Sequence, residues 1–381
     1  SRSRLRVRTP PTAASVQPPA PSQRSGVSIA LTVALITVVM LSAGLVWLNR
    51  PANASRPGAV EARATANQAA NRFYLRGRQR MEARDRAGLT LAVADFREAV
   101  ARDPGFARAY AGLSDAHSLM GYYRMRPGRD AFEAAREAAM MALTLDDTLA
   151  EAHVSLAGLL AYYDWDWAGG EREYRRAIDL DPSFAPARHW YANCLSLMGR
   201  HDEAIEQARQ AVALQPLSLI TLTGALGNAY VQAGHDDQAV EQFRAALEFD
   251  QKFGNAHAAL ALVYWRHGRL QEARQEMAAA ASLGGNPNWA ARVAALDAAL
   301  GQHDDARRQL AALQRDPDTL TPVSLATVYL QLGDREHALE ILERAIAARD
   351  PDLPSAKTEP GLSGLRTDVR FEAILRRMNL L

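Results

Sequence analysis

The stretch APARHWYANCLSLMGRHDEAIEQARQAVALQP, Ala185 to Pro216, decides the fold. Its periodicity predicts two amphipathic helices, Ala185 to Met198 and Asp202 to Leu214, joined by a turn at Gly199. Glycine suits the left-handed position that ends a helix, and Asp202 is placed to cap the next one. Tyr191 and Leu195 stand four apart as the large groups of one face, while Ala204 and Ala211 are small enough for close helix approach. Pro216 cannot continue the second helix. Such a hairpin cannot cover its own apolar face, so it needs copies on either side.

Copies are present. The turn glycine recurs as Gly199, Gly234, Gly268, Gly301 and Gly333. The first small residue of the second helix recurs as Ala204, Ala239, Ala273, Ala306 and Ala338. The second recurs as Ala99, Ala142, Ala177, Ala211, Ala246, Ala280 and Ala345, with Leu313 in register. A proline or turn residue follows at Pro104, Asp147, Pro182, Pro216 and Gln251. The period is near 34 residues, that of tetratricopeptide repeats (TPRs). The expected fold is therefore all-α, a right-handed TPR α-solenoid of about eight helix hairpins.

Composition agrees. The chain is rich in Ala, Leu, Arg and Glu, which favours helix. Its net charge of +1 argues against nucleic-acid binding by this segment. Lysine occurs only as Lys252 and Lys357, so positive charge is nearly all arginine and a single Arg carries little functional weight. The lone Cys194 excludes an intrachain disulfide framework and reads as a small buried group.

Ahead of the repeats lie three short segments. Residues 1–26 hold five arginines, five prolines and no acid, a composition that disfavours ordering and suits a disordered cytoplasmic segment. The chain opens on Ser1 rather than Met, as a fragment or a processed product does. Val27 to Leu48, VSIALTVALITVVMLSAGLVWL, is uncharged; as a helix rising about 1.5 Å per residue it spans roughly 33 Å, enough for a hydrocarbon core of about 30 Å. A buried core helix and a cleaved signal peptide are the other readings, the latter kept open by Ala52-Asn53-Ala54, but signal h-regions run only about 7–15 residues. Arginines are denser before the span than after it, which places the N-terminus in the cytoplasm and the array across the membrane. Residues 49–60 form a linker.

The array is expected over 61–349. A first helix from Glu61 to about Glu82 pairs with Leu91 to Ala101 across the lengthened turn ARDRAGLT. The second repeat carries an insertion, YYRMRPGRD, before Ala131 to Leu145. The third has an irregular turn, Tyr162 to Trp167 and then Gly169-Gly170, before Glu171 to Leu180. The Tyr162–Trp167 aromatics read as packing that plugs the turn, with a binding anchor as the alternative. In the tail, 350–381, a Pro/Gly-marked loop precedes a capping helix, Asp368 to Met378, with Phe371, Ile374 and Leu375 on one face.

No constellation for catalysis, cofactor or metal stands out: there is no phosphate loop, HExxH or nucleophile elbow. His117, His153, His189 and His257 follow the repeat rather than converge. Glu203, Asp237 and Glu272 begin second helices, where negative charge meets the dipole. What remains is a surface. First helices of stacked hairpins line a concave groove suited to a protein or peptide ligand. The candidate groove residues are His189, Asn193 and Ser196 in the fourth repeat, Asn228 and Val231 (with Gly224) in the fifth, and Trp265 and Arg266 in the sixth. Asn193 and Asn228 occupy equivalent turns, so their amides either pair with an extended peptide or satisfy neighbouring helix groups.

Four blocks carry a narrower resemblance: Tyr74 to His117, LAEAHVSL (Leu149 to Leu156) with YDWDW (Tyr163 to Trp167), Pro186 to Ala204, and LRTDVRFEAILRRMNL (Leu365 to Leu380). Together they resemble the C-terminal half of bacterial membrane-integrated winged-helix transcription regulators of the CadC-like type. In that family a cytoplasmic DNA-binding domain precedes one transmembrane helix and a periplasmic TPR sensor; residues 1–26 hold no such domain. The resemblance implies a non-enzymatic, single-pass protein of the bacterial inner membrane. The same block also resembles the TPR region of transmembrane serine/threonine kinases and cyclase-like proteins, and an envelope scaffold is the alternative role.

Overall fold

The computed structural model describes residues 67–381 except 82–85, 127, 285 and 316–319. The N-terminal segment, membrane helix and linker expected within 1–60, and the first helix's start at Glu61, lie outside the described residues. Among those described there is no strand, and no helix is long and apolar enough to cross a membrane.

Eight helix pairs follow one another. They are α1 (Gln68–Met81) with α2 (Arg86–Arg102), α3 (Ala107–Tyr122) with α4 (Gly128–Leu145), α5 (150–163) with α6 (Trp167–Leu180), and α7 (Ala185–Leu197) with α8 (His201–Leu214). Then come α9 (219–233) with α10 (Asp236–Phe249), α11 (Gly254–Arg266) with α12 (Leu270–Ser282), α13 (Pro287–Ala299) with α14 (His303–Leu313), and α15 (Pro322–Gln331) with α16 (Arg335–Ala347). A last helix, α17 (Val369–Arg377), ends the chain. Two first helices contain a π-helical stretch, Leu159–Tyr163 in α5 and Leu222–Gly227 in α9.

The repeat logic holds at the level of backbone and burial. Gly199, Gly234, Gly268, Gly301 and Gly333 all have φ between 72° and 88°, the left-handed region that side chains disfavour. At Gly199 the turn is closed by Arg200 N–H donating to Leu195 O at 2.9 Å. The small columns are closed to solvent, with Ala204, Ala211, Ala239, Ala246, Ala273 and Ala280 fully buried. Between them lies a column the sequence reading did not single out. It is filled by Phe96, Tyr174, Phe243, Met277, Leu310 and Leu342, and by Ala208 in the fourth repeat, all buried.

Several boundaries differ from expectation. Helix α8 starts at His201, so Asp202 lies in its first turn and does not cap it; Arg200 holds the cap position without a side-chain cap bond. Within ARDRAGLT, α2 begins at Arg86, four residues before the turn was expected to end. The nine-residue insertion of the second repeat shrinks, because Tyr122 finishes α3 and Gly128 already begins α4. The irregular turn of the third repeat also tightens. Trp165 takes a left-handed φ of 58°, Asp166 Oδ1 accepts from Gly169 N–H at 2.9 Å, and Gly169-Gly170 become the first turn of α6.

Residues 350–381 do more than cover the last repeat. Helix α17 does pack there: Arg370 forks onto Glu343 of α16 at 2.8 Å, and Phe371, Ile374 and Leu375 are buried. Before it, two 3-10 turns, Leu353–Lys357 and Pro360–Leu365, run along the array, and beyond it Met378 and Asn379 reach the third repeat. Trp167 Nε1 donates to Met378 O at 2.6 Å, and Asn379 Nδ2 to Trp165 O at 3.2 Å.

Candidate functional site

The candidate residues lie on first helices, and their environments divide them. Asn193 of α7 and Asn228 of α9 are half-buried and meet directly, Asn228 Nδ2 donating to Asn193 Oδ1 at 3.0 Å. Gln232 Nε2, one turn on, reaches Asn228 Oδ1 at 3.5 Å. The two asparagine amides, expected to meet either a peptide or neighbouring helix groups, instead bond to each other between repeats. His189 is buried, its ring 5.2 Å from Trp190 and set against the open face of Gly224. Gly224 has no side chain, so the ring lies flush there. Ser196 is buried and its hydroxyl donates back to Ala192 O of its own helix at 2.9 Å. Val231 is half-buried against the core, and its carbonyl accepts from Arg266 Nη1 at 2.7 Å. Arg266 also pairs with Asp236, which His267 Nε2 approaches at 2.6 Å. Trp265 is buried, because the tail crosses over it.

That crossing supplies the functional geometry that repeat periodicity does not encode. From Asp350 to Gly361 the tail's partners sit on first helices or just after them. Asp350 pairs with Arg124 beyond α3, and Lys357 Nζ donates to Leu197 O of α7 at 2.8 Å. Glu359 takes Arg292 of α13 at 2.8 Å, and Gly361 O accepts from Gln331 Nε2 of α15 at 2.6 Å. The electrostatics follow from burial. Burial raises Asp350 above the usual carboxylate range against the pull of Arg124, and raises Asp352 to about 6 against Arg292. Burial works against the charge of Arg292, and Glu359 and Asp352 outweigh it.

The YDWDW turn is the second half of this arrangement. Trp165 and Trp167 are buried, Tyr162 stands edge-on to Trp167, and Phe132 stacks on Tyr163 at 4.5 Å. The aromatics plug the turn as packing, and they also dock the tail through the two bonds to Met378 and Asn379. Thus two of the blocks that stood apart from the repeat pattern, YDWDW and LRTDVRFEAILRRMNL, meet in space. Their shared departure from the period was the sequence signal available for this contact. Arg124, Arg292 and Gln331 had no such signal.

The other histidines and acids are spread along the array. His153 and His257, equivalent in the third and sixth repeats, each place Nδ1 2.6 Å from a second-helix glutamate, Glu173 and Glu276. Arg200 and Arg269 fork onto Glu203 and Glu272. Among the described residues no three His, Cys, Asp or Glu side chains are grouped to hold a metal ion. Cys194 is fully buried, and burial pushes its thiol up to about 12.

Family models for tetratricopeptide repeats match residues 173–206, 227–268 and 323–355. The helix pairs within those stretches are TPRs, and the array they belong to is a TPR protein-interaction module. Among curated proteins the chain is similar to anaphase-promoting complex subunit 3 of Schizosaccharomyces pombe, 27% identical over 173 residues. That match takes in 42% of this chain and 24% of the relative, so the chain spans about a quarter of the protein it matches. Among solved structures, yeast Tom70 aligns over 82% of this chain and 69% of its own, at 15% identity and a TM-score of 0.51, a likeness of fold. Pseudomonas aeruginosa pilF aligns over 59% of this chain and 96% of its own, at 23% identity and a TM-score of 0.40.

Proposed function

We propose that this array is the ligand-receiving part of a membrane-anchored bacterial regulator. In this reading residues 27–48 cross the inner membrane once, residues 1–26 lie in the cytoplasm, and the array stands in the periplasm. A protein or peptide held on the concave face then alters a cytoplasmic transcription-regulator domain. The anchor and its orientation rest on the apolar span and the arginine asymmetry around it. The regulator role rests on the resemblance to CadC-like proteins.

The observation that carries ligand reception is on the first helices. A segment of this chain, folded as two 3-10 turns, already lies across them, held by arginine–carboxylate pairs and by a side-chain amide on a main-chain carbonyl. Those are groups that also recognise a peptide in trans. No chemistry beyond binding is required of them. Photo-crosslinking from position 228 in cells tests the reading: a discrete adduct, lost when Asn193 is replaced by tryptophan, is expected. A chain expressed at native level that gives no adduct from 228 or from 190 overturns it. An alkaline phosphatase fusion after Leu381 tests orientation, and only a periplasmic, active fusion agrees.

A further inference from the structure

The concave face is occupied, and its occupant is imperfectly matched to it. Between Asp350 and Leu365 the tail crosses the inner sides of five repeats through Arg124, Leu197, Trp265, Arg292 and Gln331. Leu353 and Leu362 supply the buried apolar contacts. Glu359 is buried to 4% exposure, and only its Oε2 reaches Arg292; Oε1 has no partner. At the far end of the tail's track, Trp165 Nε1 and Tyr162 Oη are likewise buried without a partner. A buried polar atom left unpaired costs free energy that a better-fitting occupant recovers.

The mismatch is also visible in the space beside the tail. A cavity of about 350 Å³ opens between Pro360, Ser363 and the first helices of the sixth and eighth repeats. Arg266 and Arg366 both line it. Burial first, and the charge of Arg366 next, push Arg266 below its ordinary value, while Asp236 and the Val231 carbonyl already take its guanidinium. An acidic side chain placed there would meet the charge of Arg366.

We propose that residues 350–365 are a resident occupant of the groove, and that the groove's partner is an acidic, leucine-bearing peptide that binds by exchange with them. The proposal rests on the ligand-receiving reading above and names the ligand's chemistry. The peptide brings a carboxylate to Arg292 and a glycine to the crossing of Trp265 and Thr327. Two leucine-sized groups replace Leu353 and Leu362, and a further acid sits against Arg366. Exchange stops near Leu365, because Phe371, Ile374 and Met378 anchor the rest of the tail in the core.

The test uses the full chain and a fluorescein-labelled peptide of sequence DPDLPSAKTEPGLSGLR, residues 350–366, read by anisotropy. Gly361→Val in the chain unseats the resident segment, since even a Cβ there would lie 2.4 Å from Thr327 Cγ2. The unseated chain should bind the peptide at least about tenfold more tightly than wild type. Binding should weaken by a similar factor when the peptide carries Glu359→Gln, or when the unseated chain also carries Arg292→Gln. If Gly361→Val lowers helix content by circular dichroism, the chain carrying Glu359→Gln takes its place, because it loosens the tail without touching a first helix. Equal affinity for wild-type and unseated chains, or affinity indifferent to Glu359, overturns the proposal. A cellular cross-link at position 228 combined with no peptide exchange sinks only this chemistry; no cross-link sinks the reading beneath it.

Discussion

Replacing Gly361 by alanine tests whether the tail truly beds into the first helices. Built on this backbone, the new Cβ would stand 2.4 Å from Thr327 Cγ2 and 2.7 Å from Trp265 Cη2. Thr327 is fully buried and Trp265 nearly so, and neither is the loose end of a flexible chain. The strain therefore cannot drain to solvent. Overpacking of this kind costs about 1–3 kcal/mol. Any shift that relieves it lengthens the 2.6 Å bond from Gln331 Nε2 to Gly361 O, which adds about 1 kcal/mol. Three residues on, Gly364 is the control: its added Cβ would meet only Leu330 Cδ2 at 3.9 Å, an ordinary contact. Gly364→Ala should be neutral or stabilising by up to about 1 kcal/mol, through the unfolded chain. Urea unfolding followed by tryptophan fluorescence reads both. Thr327→Ser removes Cγ2 but keeps the hydroxyl bond to Val323 O at 2.7 Å, so it should rescue part of the Gly361→Ala loss. A coupling of about 0.5 kcal/mol or more between the two sites is expected. Equal midpoints for Gly361→Ala and Gly364→Ala, or no rescue by Thr327→Ser, would show that the tail lies elsewhere.

Ala204→Leu or Ala211→Leu should overpack the fourth hairpin by about 1–3 kcal/mol, seen as a lower melting temperature; an unchanged curve would refute the hairpin register. Asp352 and Asp115 are both raised to about 6 by burial, so the folded chain holds protons that the unfolded chain releases near 3.8. Their contribution to stability falls as pH climbs from about 4 to 6, then stays level. His117, lowered to about 4 by burial, works oppositely and loses stability as pH falls through its unfolded value of 6.5. The gain from Asp352→Asn over wild type should accordingly grow across that window in paired melts, and a gain independent of pH would refute the assignment. Cys194, fully buried with its thiol pushed up to about 12, should resist maleimide in the folded chain and react after denaturation; fast native labelling would contradict its packing.

The periodic part of this protein was legible because each hairpin buries its face against its own neighbours. Gly199 needs its left-handed turn, and Ala204 and Ala211 need to be small, for reasons confined to one hairpin and the next. A 34-residue period repeats those reasons and makes them visible. The equivalence of Asn193 and Asn228 was legible for the same cause, one repeat apart, although their bond to each other was not. Ser196 was not, because helical spacing alone does not tell a side chain facing the groove from one turned back onto Ala192 O. Nor did Trp265 and Arg266 reveal from their position that a distant segment runs past both. Asp202 was misplaced because cap preference is a weak local signal, and α8 took one residue more.

The tail was the illegible part, and the reason is its reach. Its bonds join Asp350 to Arg124, Met378 to Trp167 and Asn379 to Trp165, each pair more than two hundred residues apart. A solenoid's stability is a sum over adjacent repeats, and its ends are independent. Here Arg349, just after the eighth repeat, also lies 3.7 Å from Asp164 of the third. With both ends of the tail's path fixed, the third and eighth repeats are held in one register. The inner face of the intervening repeats then cannot widen or narrow without disturbing Trp167, Arg292 or Gly361. An occupant that displaces 350–365 leaves the bonds of Met378 and Asn379 to Trp167 and Trp165 in place. It removes the bonds to Arg124, Leu197, Arg292 and Gln331, so the loss is confined to the middle of the tail's path.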